Sequence, residues 1–230
     1  LNPFDTHAIE AAMQLKEGGE LAVDEVVAVT MGPGSAQRAL QKAVALGADR
    51  SVHLSDDALV GSDVCATGLA LAKVLESETP DVVLLGQQSD DGECYTIGAV
   101  VADHLKMPSL TQVVKMDVED GKLRCERQAE YGYDTVSLSL PAVIAVGDAI
   151  NEPRYPSLKA IMGAKKKPLD TKSAGDVGID AGQVGEAGSQ TTVVALNPPP
   201  AKEAGEIIED EDTNETVEKI VAWLDERKLI

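Results

Sequence analysis

The sequence predicts an α/β fold in which helices cover both faces of a mostly parallel sheet. Short strands with little polar alternation, such as EVVAVT at 25–30 and DVVLL at 81–85, alternate with amphipathic helices through the first half. After Pro108 the apolar residues recur with period two, which is typical of antiparallel strands. Together these patterns predict a three-layer, Rossmann-like domain whose parallel sheet carries an antiparallel extension.

The elements of the first half follow from the spacing of their apolar residues. Residues 3–16 are predicted as a helix because their apolar side chains fall on one face: Ala8, Ile9, Ala12, Met13 and Leu15. The next elements are a strand at 25–30, a helix at 36–46, a strand at 51–54, a helix at 61–76, a strand at 81–85 and a helix at 95–105. Each connection is short, which fits consecutive β–α units.

The second half begins with strands and ends in an arm. Segments 112–117, 122–128 and 136–140 are predicted as antiparallel strands with a turn at 119–121, and 141–149 as a buried strand. Ser157 is expected to cap a short helix, LKAIMGA, at 158–164. Residues 170–200 are rich in Gly, Ser, Ala and Pro, and 216–228 form an amphipathic helix. We therefore expect a domain at 1–169 and an extended arm with a terminal helix at 170–230.

Composition excludes several classes of function. The 230 residues carry a net charge of −19, which disfavours nucleic acid, because phosphate binding needs clustered Lys and Arg. No apolar run reaches the ~18 residues that would indicate a membrane span. Three widely spaced cysteines without a CxxC pair favour a reducing compartment, and three scattered histidines give no metal-binding motif. We expect no membrane insertion and no metal site.

Two loops lie where an open parallel sheet binds ligands. GQQSDDGECYTIG at 86–98 follows a buried strand and opens a helix, and MGPGS at 31–35 does the same. Free N–H groups at a helix start can hold a phosphate. Neither loop matches a Walker or GxGxxG motif, so each pattern alone fits a plain turn as well as a nucleotide site. No catalytic constellation is apparent.

Four segments resemble one family in register. NEPRYPSLKAIMGAKKK at 151–167 resembles the signature of the electron transfer flavoprotein beta subunit. The segments NPFDTHAIEAAMQLKE, VTMGPGSAQRALQKAVALGADR and LLGQQSDDGECYTIGAVVADHL resemble the same family in the same order. The resemblance implies a heterodimeric electron carrier that serves acyl-CoA-type dehydrogenases of fatty acid β-oxidation. In that family FAD lies mainly on the alpha subunit, and the beta subunit binds AMP.

The resemblance also assigns residues. AMP would be bounded by Asn2, Pro3, Phe4, Asp5, Met31, Gly86, Gln87, Gln88, Asp91, Gly92, Cys94, Tyr95, Thr96 and Ile97. Its adenine would lie near the strand end at Met31, and its phosphate at residues 92–97. Residues 154–163 would form a docking loop for flavin-dependent dehydrogenases, with Leu158 as the anchor; its partner-binding residues would be Arg154, Tyr155, Leu158, Ile161 and Met162. The C-terminal arm and helix would contact the alpha subunit.

The sequence departs from the family pattern at a few points. Gln87 stands where a basic residue is common, Tyr95 where small polar residues are frequent, and Gly163 where some members carry lysine. Family members have a few tens of residues before Asn-Pro-Phe, including the first strand of the sheet. We therefore expect this chain to be a fragment or a mis-started product, with part of the nucleotide pocket missing and poor stability in isolation.

Two alternative functions stay open. Some family members bind a second FAD in place of AMP and bifurcate electrons from NADH. A different class would be a free-standing adenine-nucleotide-binding regulatory or hydrolytic domain whose terminal helix packs in cis. The expected location is the cytoplasm or, less often, the mitochondrial matrix.

Overall fold

The computed structural model describes residues 1–201, 205, 207 and 212–230. They divide into two compact units, Leu1–Thr192 and Val193–Ile230. The helices are α1 (Pro3–Gly18), α2 (Gln37–Leu46), α3 (Val64–Glu78), α4 (Ile97–Leu105), α5 (Leu158–Ala164), α6 (Gly185–Gly188) and α7 (Thr213–Glu226). The strands are β1 (Val27–Met31), β2 (Arg50–Leu54), β3 (Val82–Gly86), β4 (Ser109–Glu119), β5 (Lys122–Ala129), β6 (Gly132–Leu138), β7 (Ala142–Val146) and β8 (Leu169–Lys172).

The first unit is the mixed α/β fold that the sequence predicts. Strands β3, β7 and β4 are parallel, and β4, β5 and β6 continue the same sheet as an antiparallel extension, in the order β3-β7-β4-β5-β6. The turn between β4 and β5 places Asp120 and Gly121 at positive φ, as a two-residue hairpin turn requires. The parallel sheet with its antiparallel extension is therefore confirmed.

The parallel strands fall into two sheets rather than one. Strands β1, β2 and β8 form a separate three-stranded parallel sheet in the order β1-β2-β8. Within the described residues β1 and β3 are edge strands, and their side chains are mostly half-buried, whereas those of β7 are buried throughout. The sequence predicted a single sheet, whereas the structure has two, and the break lies between the edge strands β1 and β3.

The first compact unit extends past residue 169, the domain end predicted from the sequence, to Thr192. Residues 169–172 form β8 on the free edge of β2. Ala174, Ile179 and Val184 are buried in the apolar cluster around β2 and α3. The Asp63 carboxylate caps α3 and also accepts hydrogen bonds from the backbone N–H groups of residues 190 and 191. A segment with a loop-like composition is therefore held by three apolar side chains and one carboxylate.

The second unit contains α7, which covers most of the predicted terminal helix and starts three residues earlier. Asp212 is its N-cap and accepts from the N–H of Asn214. The apolar side chains of Val217, Ile220 and Val221 are about half exposed. Across the described ranges, no helix has the length and apolar character needed to cross a membrane.

Candidate functional site

The start of α1 packs directly against the end of β3. Pro3 occupies the first turn of α1, where its fixed φ suits a helix and its missing N–H is not needed. A Cβ on Gly86 would lie 2.5 Å from the Cβ of Phe4 and 2.8 Å from the backbone nitrogen of Asp5. Only a glycine allows this approach. The absence of a side chain at Gly86 therefore lets the segment Asn-Pro-Phe-Asp pack against the segment Gly-Gln-Gln.

Two hydrogen bonds join the same segments. The N–H of Gly86 donates to the Asp5 carboxylate at 2.8 Å, and the side-chain amide of Asn2 donates to the carbonyl of Gln88 at 2.8 Å. Burial raises the pKa of Asp5 above its usual value, and the N–H of Gly86 and the side chain of Asn2 oppose that shift. Asp5 is therefore a partly desolvated carboxyl group at the contact between α1 and β3.

Two buried acceptors at this contact have no partner. The side-chain oxygens Oδ1 of Asn2 and Oε1 of Gln88 are both shielded from solvent and accept no hydrogen bond. Most buried polar groups are satisfied, because an unpaired one costs about 1–3 kcal/mol. Both oxygens belong to the two segments that the Asn2–Gln88 and Asp5–Gly86 hydrogen bonds join.

The loop after Gln88 leads to an uncapped helix start. The Ser89 hydroxyl and the Asp91 carboxylate both accept from the N–H of Gly92, which shapes the turn. Glu93 and Tyr95 have positive φ, a conformation that costs a non-glycine residue about 1–3 kcal/mol. Helix α4 begins at 97 rather than at the predicted 95, and its N-cap makes no side-chain bond.

The other predicted nucleotide residues have varied surroundings. Gln87 lies against the end of β7, with its N–H on the carbonyl of residue 146 and its side-chain oxygen close to Gly147. Cys94 is half-buried, and Thr96 is exposed beside the exposed Tyr95. The structure therefore joins Asn2, Phe4 and Asp5 to 86–88, and sets the residues from 91 to 97 on the loop that follows.

Met31 belongs to the other sheet. It ends β1 and packs against the apolar cluster that contains Val52 and Leu54. The loop that follows Met31 is fixed by the fully buried His53, which was not among the predicted site residues. Its Nε2–H donates to the Gly32 carbonyl at 2.9 Å, and its Nδ1 accepts from the Gln37 amide at 3.4 Å. No sequence motif marks this histidine.

The predicted docking loop presents apolar side chains to solvent. The hydroxyl of Ser157 accepts from the N–H of Ala160 and caps α5, as expected. Tyr155 is 95% exposed, Leu158 80% and Met162 76%, and Ile161 is also exposed. The short helix therefore does not bury its large apolar face on its own core.

Small residues hold α5 on α2 from the other side. Ala164 is buried in a cluster with Val44, Ala45 and Ala48. Lys167 donates from Nζ to the carbonyl of Ala48 at 2.7 Å, just past the end of α2. Helix α5 is thus packed on α2, while its large apolar side chains stay exposed.

Arg154 is engaged within the chain. Its guanidinium donates to both carboxylate oxygens of Glu10 and both of Glu17, and its backbone N–H also donates to Glu10. These bonds hold the pKa of both carboxyls below their usual value. Helix α1 therefore carries the Asn2–Asp5 contact at one end and the loop attachment farther along.

A cleft of about 280 Å³ lies elsewhere, between α1 and β4. Leu15, Met116 and Ile150 contribute apolar lining, and Lys115 and Asp117 add charge. None of the predicted nucleotide-binding residues lines it. Within the described residues, no group of three or more His, Cys, Asp or Glu side chains is placed to hold a metal ion.

Comparison with known proteins identifies the family. Residues 1–177 match the electron transfer flavoprotein domain. The electron transfer flavoprotein subunit beta of Mycobacterium tuberculosis is 41% identical over 233 residues, which cover 100% of this chain and 87% of the relative. The bovine subunit beta is 37% identical, with 98% of this chain and 84% of the relative covered. The caffeyl-CoA reductase-Etf complex subunit CarD of Acetobacterium woodii is 37% identical, with coverages of 100% and 87%. The chain belongs to the electron transfer flavoprotein beta subunit family.

Proposed function

We propose that this chain is the beta subunit of a heterodimeric electron transfer flavoprotein. It carries electrons from acyl-CoA-type dehydrogenases toward the respiratory chain, together with an alpha subunit that holds most of the FAD. Family membership supports the electron-transfer role. The observation that carries the docking function is the exposed apolar face of α5. The proposed location is the cytoplasm.

The 154–163 loop has the properties of a docking element. Leu158 and Met162 lie one helical turn apart on α5 and are mostly exposed, with the nearly fully exposed Tyr155 just before them. Clustered apolar groups on a surface mark interaction sites more often than single exposed residues do. Such side chains become anchors when a partner removes them from water.

We assign the bound AMP to the edge of the contact between α1 and β3. Adenine would supply its exocyclic N–H groups to the unpaired oxygens of Asn2 and Gln88. The backbone N–H groups at the start of α4 would receive the phosphate, since that helix end has no side-chain cap. AMP makes no bond change here, so its role is structural. The half-buried Asp5 is better placed toward the base or ribose than toward a phosphate, because two anions would repel.

A bifurcating beta subunit is a second candidate. It would hold a second FAD in the AMP site and would take NADH as donor. One relative, 37% identical, is named as a subunit of a caffeyl-CoA reductase-Etf complex, and we keep this candidate beside the first. FAD also contains an adenine, so the unpaired oxygens of Asn2 and Gln88 suit both ligands.

A free-standing nucleotide-binding domain is a weaker candidate. Val217, Ile220 and Val221 give α7 an apolar face, which suits a helix that packs on a partner. We assign that partner as the alpha subunit. Its absence in a co-purification would favour the free-standing domain.

The direct test is electron acceptance by the heterodimer. The chain is co-expressed with an alpha subunit, purified, and mixed anaerobically with acyl-CoA and a catalytic amount of an acyl-CoA dehydrogenase. We expect the flavin absorbance to bleach at a rate proportional to the dehydrogenase concentration. Bleaching by NADH alone would move the assignment to the bifurcating type. No heterodimer, or a flavin that neither donor reduces, would refute the proposed function.

A further inference from the structure

Arg154 is bound to two glutamates of α1. Its Nε donates to Glu10 at 2.7 Å, its Nη1 to Glu17 at 2.6 Å, and its Nη2 to both, at 3.0 and 2.9 Å. Glu10 is only 7% exposed, although it is a charged residue. Buried carboxylates are rare unless they are paired, so this arginine and Glu10 depend on each other.

The donor count limits what else Arg154 can bind. A guanidinium has five N–H groups. Four of them point at Glu10 and Glu17, and the backbone N–H of Arg154 also donates to Glu10 at 3.2 Å. One side-chain N–H is left for a partner protein. The resemblance implies that Arg154 binds the partner dehydrogenase. With one free side-chain N–H, Arg154 is poorly equipped to recognise a dehydrogenase directly.

A second attachment lies three residues earlier in the loop. The side-chain amide of Asn151 donates to the carbonyl of His7 at 3.0 Å. Nδ1 of His7 lies 3.0 Å from the carbonyl oxygen of Asn151 and 3.2 Å from its side-chain oxygen, so Nδ1 carries the proton. His7 and Glu10 are one turn apart on α1, so the two attachments share a face of that helix.

We propose that Arg154, with Glu10 and Glu17, is a positioning residue that fixes the docking loop on α1 before the dehydrogenase arrives. The proposal rests on the proposed docking function of the loop. The attachment ends at Arg154, and the most exposed residue of the loop, Tyr155, follows at once. Fixing the backbone at this point lowers the ordering cost that binding would otherwise incur.

The proposal is tested in the heterodimer by three single variants, Arg154→Gln, Glu10→Gln and Glu17→Gln. The dehydrogenase is one that reduces the wild-type heterodimer. We expect each variant to raise the KM for the flavoprotein, by about tenfold for Arg154→Gln, with little change in kcat, because ordering is added to the binding step. Amide hydrogen exchange in residues 151–164 should become faster in all three. Glu20→Gln, which changes an exposed glutamate just past the end of α1, is the matched control and should change neither readout.

The double variant Arg154→Gln/Glu17→Gln separates positioning from direct contact. Residues that act as one unit give non-additive effects, so the double variant should be no worse than Arg154→Gln alone. Arg154→Lys should restore only part of the KM, since an ammonium cannot span two carboxylates as a planar fork does. If Glu17→Gln left the KM unchanged or lowered it while Arg154→Gln raised it, the freed arginine would be contacting the partner, and the proposal would be overturned.

Leu158→Ala distinguishes a failure of this proposal from a failure of the docking function. An unchanged KM in Leu158→Ala would refute the docking loop itself. A raised KM in Leu158→Ala, with unchanged KM and unchanged exchange in the arginine and glutamate variants, would refute only the positioning role.

Discussion

Replacing Leu158 with alanine should weaken dehydrogenase docking while leaving the fold intact. The side chain is 80% exposed, so the free chain gains little stability from it. Its value should appear only when a partner covers it. This makes the substitution a test of the surface rather than of folding.

The size of the effect follows from the exposed area. Leucine carries three more carbons than alanine, and each buried CH₂ contributes about 0.8 kcal/mol. Scaling that total by the exposed fraction of Leu158 gives about 2 kcal/mol on full burial. A free energy of that size corresponds to a roughly 30-fold rise in Kd.

The assay is the KM of the heterodimer for an acyl-CoA dehydrogenase, with the Kd from titration calorimetry. Val60→Ala is the matched control because Val60 is an aliphatic residue, 71% exposed, outside the docking loop. The melting temperature of the Leu158→Ala heterodimer should match the wild type. A Kd within about threefold of wild type, or equal effects of the two substitutions, would refute the assignment of Leu158 as anchor.

Three further predictions concern α1. Gly86→Ala should lower the free energy of unfolding by about 1–3 kcal/mol, because the added Cβ would clash with the backbone of Phe4 and Asp5. Gly92→Ala is the control, because a Cβ there has room. Urea titration of both variants measures the difference. Asp5→Asn should raise the melting temperature at pH 7. Because the pKa of Asp5 is raised in the folded state, the protonated carboxyl stabilises the fold at low pH, and this stabilisation is lost as pH rises through the folded pKa. A lower melting temperature of Asp5→Asn at pH 7 would contradict this prediction. Hydrogen-exchange protection of residues 151–157, corrected for intrinsic rates, should stay constant from about pH 8 to 5. The reason is that Arg154 lowers the pKa of Glu10, so protection should fall only as pH drops through the folded pKa of Glu10. A decline in protection above pH 5 would argue against the ion pair.

Local patterns predicted most of the fold. The strands at 81–85 and 141–149 are continuous apolar runs, and the turn at 119–121 is encoded by Asp120 and Gly121, so nearest-neighbour chemistry was sufficient. The cap at Ser157 could be predicted for the same reason. Each of these features depends on residues that are close in sequence.

Features that depend on distant residues could not be predicted. Strand β8 forms because β2 offers a free edge, and the segment's own composition favours a loop. The ion pair of Arg154 with Glu10 joins residues 144 positions apart, so no local pattern around Arg154 could predict it. No sequence motif marks His53 either, since its partners are the backbone carbonyl of Gly32 and the side-chain amide of Gln37, the first residue of α2.

The nucleotide content of the purified heterodimer is the most direct test of the central claim. The heterodimer is denatured, and the released nucleotides are separated and quantified per dimer. We expect one FAD and one AMP per dimer, with the AMP bound beside Asn2 and Gln88. Two FAD and no AMP would support the bifurcating type. A stable heterodimer that releases no flavin would contradict the assignment of this chain to an electron carrier.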